Sequence, residues 1–251
     1  MKLENLTTTE ARTALRNARV ALLPVGAIEQ HGPHLPLATD WLIASRIAAE
    51  ASQVEGRLLL PGFRIGVSAE HRQFWGTLTL TPELLTETAI SVCRSVAFHD
   101  LSRIVLVNGH GTNAAPLQEA ASRLRTEGIY VFVFNWWQSI ASLLGELFPD
   151  PTAHAGAIET SLMLAIDPTL VRVDRFAEAD TAPIWGRYVE GVLVGADAID
   201  FTQKGNVGNP DLASPEKGQS VLAAACDTLG RFCRWLDTQS DEHLASHPHL
   251  D

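Results

Sequence analysis

Four side chains able to bind metal or move protons, Glu29, His31, His34 and Asp40, fall within one short stretch, GAIEQHGPHLPLATD. Imidazole and carboxylate are the common protein ligands of Zn²⁺- and Mn²⁺-class ions. Glu29 and His31 are two residues apart, so in extended chain their side chains point the same way. Pro33 and Pro36 stiffen the loop and lower the entropy lost in holding ligands still. The competing reading is a polar surface loop with coincidental histidines. A second cluster, NGHGTN (Asn108–Asn113), sets His110 at the end of an apolar run. A third, HAGAIETS, holds His154 and Glu159. Glu159 stands among Ala157, Ile158, Leu162 and Leu164, and burying a carboxylate there without a partner is costly. The ordinary alternative is an exposed helical glutamate. Three carboxylates (Glu29, Asp40, Glu159) and one hydroxide would neutralise two divalent cations, with Asp40 suited to bridge them and His31 and His110 adding no charge.

The elements that must position these groups read as alternating strands and helices. Residues 1–18 form an amphipathic helix with Thr7 to Thr9 as possible caps. Arg19–Ala27 is a buried strand, and Asp40 can cap a helix running to about Ser52. RLLLPGF is a short second strand, residues 64–77 a loop, and Thr81-Pro82 opens a helix to about His99. Leu101–Gly109 is a strong strand, TNAAPLQEAASRLRTEG the helix after it, and GIYVFVFNWW a third long strand. A helix over 157–165 and a C-terminal helix from Pro215 to about Thr238 follow, with 168–214 unassigned and a frayed tail from about 239. This alternation predicts an α/β fold, a three-layer α/β/α sandwich around a mostly parallel sheet, in one domain over residues 1–251. Metal ligands placed after strands would then share the carboxyl edge of the sheet, where such folds bind ligands.

Bulk properties exclude several classes. The 251 residues are 46% hydrophobic and 19% charged, so disorder is excluded as the main state. Nineteen Lys+Arg against 29 Asp+Glu give a formal net charge of -10. With no basic patch, that field repels a phosphate backbone, so nucleic acid is not an expected partner. Val20–Ile28, the longest apolar stretch, is too short to span a bilayer, and the first twenty residues lack a signal's apolar core. An odd count of three cysteines (Cys93, Cys226, Cys233), each in a predicted helix, points to buried thiols and a cytoplasmic protein. Gly109–Ala114 also fits the GxGxxA dinucleotide pattern, but the following strand ends in Phe134-Asn135-Trp136-Trp137 without the acid that pattern needs. No G-x-S-x-G occurs, which removes the usual serine-hydrolase signature.

GAIEQHGPHLPLATD, LVNGHGTN and HAGAIETSLMLA, in this order, resemble the creatininase (creatinine amidohydrolase) family. The resemblance runs from about Val20 into the C-terminal helix and includes NPDLASPEKG. It implies an α/β/α enzyme with a binuclear metal centre, commonly hexameric, that hydrolyses C–N bonds of cyclic or linear amides. Position by position, it implies that Glu29 and His110 hold one metal, that His31 and Glu159 hold the other, and that Asp40 bridges them. Zn²⁺ is the first expectation, with Mn²⁺ and Fe²⁺ as alternatives. His154 would be the catalytic proton-transfer residue; its plain alternative is a helix cap. His34 would support the ligands or touch substrate. Trp75, Trp136, Trp137 and Trp185 could wall a pocket, with Trp136 expected to touch substrate, although buried aromatics are ordinarily core. Glu70 and His71, in the 64–77 loop, read as an exposed lid pair or as nothing.

Two departures bear on substrate. Creatininase proper carries a metal-associated Glu two residues after the NGH histidine, where this chain has Thr112. It also carries a Trp-Asp pair before the histidine matched by His154, where this chain reads Asp150-Pro151-Thr152-Ala153. Both argue against creatinine itself. Within the family the alternatives are deformylation of a pyrimidine intermediate, peptide trimming and hydrolysis of a sugar derivative. The expected mechanism is attack by a metal-bridging hydroxide on a small-molecule amide, formamide or lactam, with His154 protonating the leaving nitrogen. Two other classes compete: a metal-binding protein that kept its ligands and lost catalysis, motivated by Thr112, and a nucleotide-cofactor oxidoreductase.

Overall fold

The computed structural model describes residues 1–148, 154–180 and 184–245. Asp150–Ala153, one of the two departures, therefore lies outside the described residues, as does the tail beyond 245.

Four strands, β1 (Val20–Val25), β2 (Arg57–Leu59), β3 (Arg103–Asn108) and β4 (Tyr130–Asn135), form one sheet in the order β2-β1-β3-β4. All three pairings are parallel. Parallel sheets are covered on both faces, which is why VALLPV and RIVLVN read as continuous apolar runs. Val20 and Leu22 face one core with Val105 and Val107; Ala21 and Leu23 face the other with Ile104 and Leu106. The first face packs on α2 (Thr39–Ala51), α7 (Ala157–Ile166) and α8 (Pro215–Asp237), through Ile43, Ile47, Leu162, Val221 and Leu229. The second packs on α3 (Pro82–Ala97) and α4 (Ala114–Arg125), through Leu85, Ile90, Leu117 and Leu124. Each fully buried Leu or Ile contributes about 2 kcal/mol, so the two clusters together carry the three-layer α/β/α arrangement.

Pro24 sits in an inner strand, where proline is normally excluded. Its carbonyl accepts from the Phe63 N–H at 3.0 Å, on the side where β2 has already ended at Leu59.

α1 (Thr8–Asn17) starts at a capping box, Thr7 with Glu10, as TTTEAR suggests. Four readings change. Asp40 does not cap α2: it is the second residue of that helix, whose first flanking position is Ala38. The third long strand stops at Asn135, and Trp136–Ser139 turn into the short helix α5, followed by α6 (Ala141–Leu147). Trp136 and Trp137 continue the apolar run, so composition alone extends the strand across the turn. The unassigned 168–214 region holds a two-stranded antiparallel hairpin, β5 (Arg187–Val189) and β6 (Val192–Gly195). The tail is docked as far as Ala245 through α9 (Asp241–Leu244): Arg103 donates to the Leu236 and Gln239 carbonyls and to Asp241, and Arg125 donates to the Leu244 and Ala245 carbonyls. Cys93 and Cys233 are buried and Cys226 half-buried, all three as free thiols.

Candidate metal centre

The carboxyl ends of β1 and β3 deliver the first ligating groups. After β1 the chain turns so that Glu29 and His31 both enter the interior, fully buried. After β3, the Asn108 side chain clamps the next turn: its Oδ1 accepts from the His110 N–H at 3.1 Å and its Nδ2 donates to the His110 carbonyl at 2.8 Å. Gly109 is required here because a Cβ would lie 2.3 Å from the Asp40 carbonyl. That close approach of α2 to β3 puts Asp40 beside His110, and it accounts for the first glycine of the GxGxxA pattern without a phosphate. Asp40 and Glu159 both occupy first helical turns, where the helix dipole favours carboxylates. Glu159 Oε2 also accepts from the Ala155 N–H at 2.6 Å, and Ala155 reaches that position with φ of +47°.

Three groups of potential ligand atoms result, each within 4.8 Å: Glu29–Asp40–His110, His31–Asp40–Glu159, and Glu29–His31–His154. Asp40 belongs to the first two. Its Oδ1 is 3.2 Å from His31 Nε2 and its Oδ2 is 3.3 Å from His110 Nδ1. Both Glu29 carboxylate oxygens, His31 Nε2, Asp40 Oδ2 and His110 Nε2 are buried with no hydrogen-bond partner among the described residues. Buried polar groups are normally satisfied, and divalent cations would satisfy these without new protein contacts. The residues present fit a metal.

The titration behaviour follows from the same crowding. Burial opposes charge on His31, but Asp40, Glu159 and Glu29 outweigh it and hold its pKa at about 10. Burial likewise opposes charge on His110, and Glu29 and Asp40 hold its pKa well above the ordinary imidazole value. Burial pushes Glu29 up to about 8 against the pull of His110. Asp40 moves the other way: burial raises it, but His31 and His110 hold it well below the carboxylate range. Burial raises Glu159. His154 is driven well below its ordinary value by burial and by the facing His31 and His71, so its ring is neutral at pH 7.

His154 lies outside α7, whose first flanking residue is Gly156, so it is not a helix cap. Its backbone pairs with Val207 and its ring lines a cavity of about 570 Å³ together with Asp40, His110 and Glu159. Trp136, Trp137, Leu144, Ile158 and Trp185 form apolar walls. Trp75 does not: it is 96% exposed. Of its two readings, His34 takes the place the supporting one expects, away from the lining of that cavity. It is 1% exposed, its Nε2 meets Thr160 Oγ1 at 3.0 Å, and Phe176 packs against it edge-on. It braces α7 behind Glu159.

Glu70 and His71 are neither exposed nor idle. His71 is buried with Nε2 3.4 Å from Glu29 Oε1. Glu70 accepts from the Thr112 hydroxyl and reaches within 3.5 Å of His110 Nε2. A carboxylate from another loop thus occupies the neighbourhood of Thr112. The Gln30 side chain, which carries no weight in the sequence reading, is buried between His71 and His154. Its position between Glu29 and His31 was the available signal.

Comparison with known proteins agrees with this geometry. Residues 4–233 match the family model Creatininase, described as creatinine amidohydrolase. The chain is 35% identical over 224 residues to a mycofactocin precursor peptide peptidase of Mycobacterium ulcerans (strain Agy99), covering 85% of this chain and 84% of that protein. It is 32% identical over 232 residues to the creatinine amidohydrolase of Pseudomonas putida, covering 85% and 87%. The solved structure described as "Creatininase Mn" superposes with a TM-score of 0.81 at 27% identity, over 95% of this chain and 99% of that one.

Proposed function

The chain belongs to the creatininase family, and from that premise we propose that it hydrolyses the C–N bond of a small amide, formamide or lactam at a centre of two divalent cations. The observation that carries the reading is the pair of ligand groups sharing Asp40. Glu29, Asp40 and His110 would hold one ion, and His31, Asp40 and Glu159 the other. Zn²⁺ is the first choice, and Mn²⁺ or Fe²⁺ would accept the same N/O donor set. When bound, such ions polarise a carbonyl and lower the pKa of a water towards neutrality.

The chain's own residues supply the rest. His154, neutral and within the cavity, takes up a proton as the nucleophile forms and returns it to the leaving nitrogen. Trp136, Trp137 and Trp185 hold the substrate's apolar part and keep bulk water from the cluster. Glu70 accepts from Thr112 and sets the charge of the wall next to His110. The cavity of about 570 Å³ is of a size that buries a drug-sized molecule, larger than creatinine requires. That volume favours, as a second reading, trimming of a peptide, the activity named for the relative in Mycobacterium ulcerans.

Among the described residues no helix is long and apolar enough to cross a membrane. The free thiols support a reducing, cytoplasmic setting, and the family resemblance supports a homo-oligomer, a hexamer. The deciding experiment is elemental analysis of protein purified without chelators or a His-tag, followed by an amide, formamide, lactam and peptide panel in the metal found. About two divalent ions per chain and turnover of one class are expected. Essentially no metal, with no uptake from added Zn²⁺ or Mn²⁺, overturns the assignment. Full occupancy with no turnover across the panel points instead to a metal-binding protein without catalysis.

A further inference from the structure

Gln30 is 4% exposed, and its amide has only one orientation that satisfies the backbone around it. Oε1 accepts from the Gly32 N–H at 3.0 Å, and Nε2 donates to the Gly205 carbonyl at 2.8 Å. The second amide proton meets His71 Nδ1 at 2.7 Å, which must therefore be the unprotonated nitrogen of that ring. His154 Nε2 lies 2.9 Å from the Gln30 backbone carbonyl, which can only accept. That nitrogen therefore carries the His154 proton. It also lies 3.1 Å from Gln30 Nε2, whose two protons are already committed. A neutral imidazole has one N–H, so Nδ1 of His154 is bare, and it is the nitrogen that faces Glu29 Oε1, at 3.8 Å. By the same count, the N–H of His71 sits on Nε2, the nitrogen 3.4 Å from Glu29 Oε1.

We infer that Gln30 is a positioning residue: with one side-chain amide and its own carbonyl it fixes the tautomers of two histidines, so that His154 presents Nδ1 for proton transfer and His71 carries its proton on Nε2, the nitrogen on the Glu29 side. Partners of this kind set which imidazole nitrogen is available for chemistry. Gly205 is part of the device. It has φ of +95°, and a Cβ there would lie 1.8 Å from Gln30 Oε1, so a side chain at 205 expels the amide from its place. The role of His154 in catalysis rests on the function proposed above; the tautomers do not.

The test uses the full-length protein loaded with diamagnetic Zn²⁺ and labelled with ¹⁵N-histidine. Long-range ¹H–¹⁵N spectra distinguish the two neutral tautomers, and His71→Asn and His154→Asn variants assign the signals. Both rings are expected as Nε2–H in the parent. Gln30→Met, similar in length but without donor or acceptor, is expected to give mixed tautomers at His71 and His154. It should also lower kcat about 10- to 100-fold, with KM within about twofold and metal content unchanged. Gly205→Ala, which keeps Gln30 but displaces it, should give the same spectral change, so the inference remains testable if Gln30→Met does not fold. A parent spectrum with His154 as Nδ1–H overturns the inference. So does a folded Gln30→Met protein with unchanged tautomers and kcat. If no substrate is turned over, the functional reading fails while the parent spectrum still decides the tautomers.

Discussion

Asp40 is the residue on which the proposed centre turns, because it joins the Glu29–Asp40–His110 group to the His31–Asp40–Glu159 group. Glu159 stands in one group, and the second group of Glu29, with His31 and His154, lacks Asp40. Replacement of Asp40 by Ala should therefore remove both ions and all activity, whereas Glu159→Ala should leave about one ion per chain. Elemental analysis of the two variants separates these outcomes, and equal losses would mean that Asp40 does not bridge. Glu70→Gln keeps the shape of the wall but removes its charge next to His110 and Thr112. Metal content should stay at the parent value while kcat falls about 10- to 100-fold, and an unchanged kcat would reduce Glu70 to a lining residue. The cluster itself was legible in sequence because Glu29, His31, Asp40, His110, His154 and Glu159 follow apolar runs or open helical ones. Glu70 and His71 were not, since their loop has no period to say which side chains turn inward. Which of its two readings His34 takes was not legible for a related reason: its packing against Thr160 and Phe176, distant in sequence, sets its direction.

At the scale of elements, the position of Glu159 depends on how tightly α7 lies against α8. A Cβ on Gly218 would fall 1.8 Å from the Ser161 carbonyl, so Gly218→Ala must force the two helices apart. The expected cost is about 1–3 kcal/mol, seen as a lower Tm by calorimetry together with weaker metal retention. The other end of α8 is tied to β2, where the buried Arg57 guanidinium meets Asp237 at 3.0 and 2.6 Å. Asp237→Ala would strand that cation in the interior, at about 3 kcal/mol, or about 6–12 °C of Tm in a chain of this size. β1, β3 and β4 were readable because strands covered on both faces are apolar throughout. The same rule failed at Trp136 and Trp137, where apolar character continues past the point at which the backbone turns. The hairpin β5–β6 escaped because Tyr188, Val189, Val192, Leu193 and Val194 are apolar and exposed, an arrangement that shows neither strand nor helix periodicity.

For the whole molecule, the ligating groups span residues 29 to 159 and converge only when both strand ends and both helices are in place. The unfolded chain holds no equivalent site, so metal binding adds directly to stability. Free metal at a thousand times its Kd should contribute about 4 kcal/mol. Calorimetry should show Tm falling on chelation and returning with Zn²⁺; an unchanged Tm would mean that the cluster binds no ion in the folded state. The all-parallel sheet and its two helical layers were predictable from alternation of elements, whereas docking of the chain end was not. Polar tails usually fray; here the carbonyls offered to Arg103 and Arg125, the Asp241 contacts with Arg103 and Tyr130, and the burial of Leu244 hold residues 239–245 down.

The division between groups that hold charge and groups that shape the cavity has a consequence for how such an enzyme acquires new substrates. Trp137 and Leu144 stand on α5 and α6 and Trp185 precedes the hairpin; none of these segments contributes to the five-residue ligand cluster. Substitutions there can resize or re-line the entrance while the charge balance at the sheet edge stays intact, so the reaction is inherited and its object is free to drift. Relatives named for a cyclic amide and for a precursor peptide are what such a partition allows, and in this chain the exchangeable segments are α5–α6 after the Trp136-Trp137 turn and the stretch at Trp185.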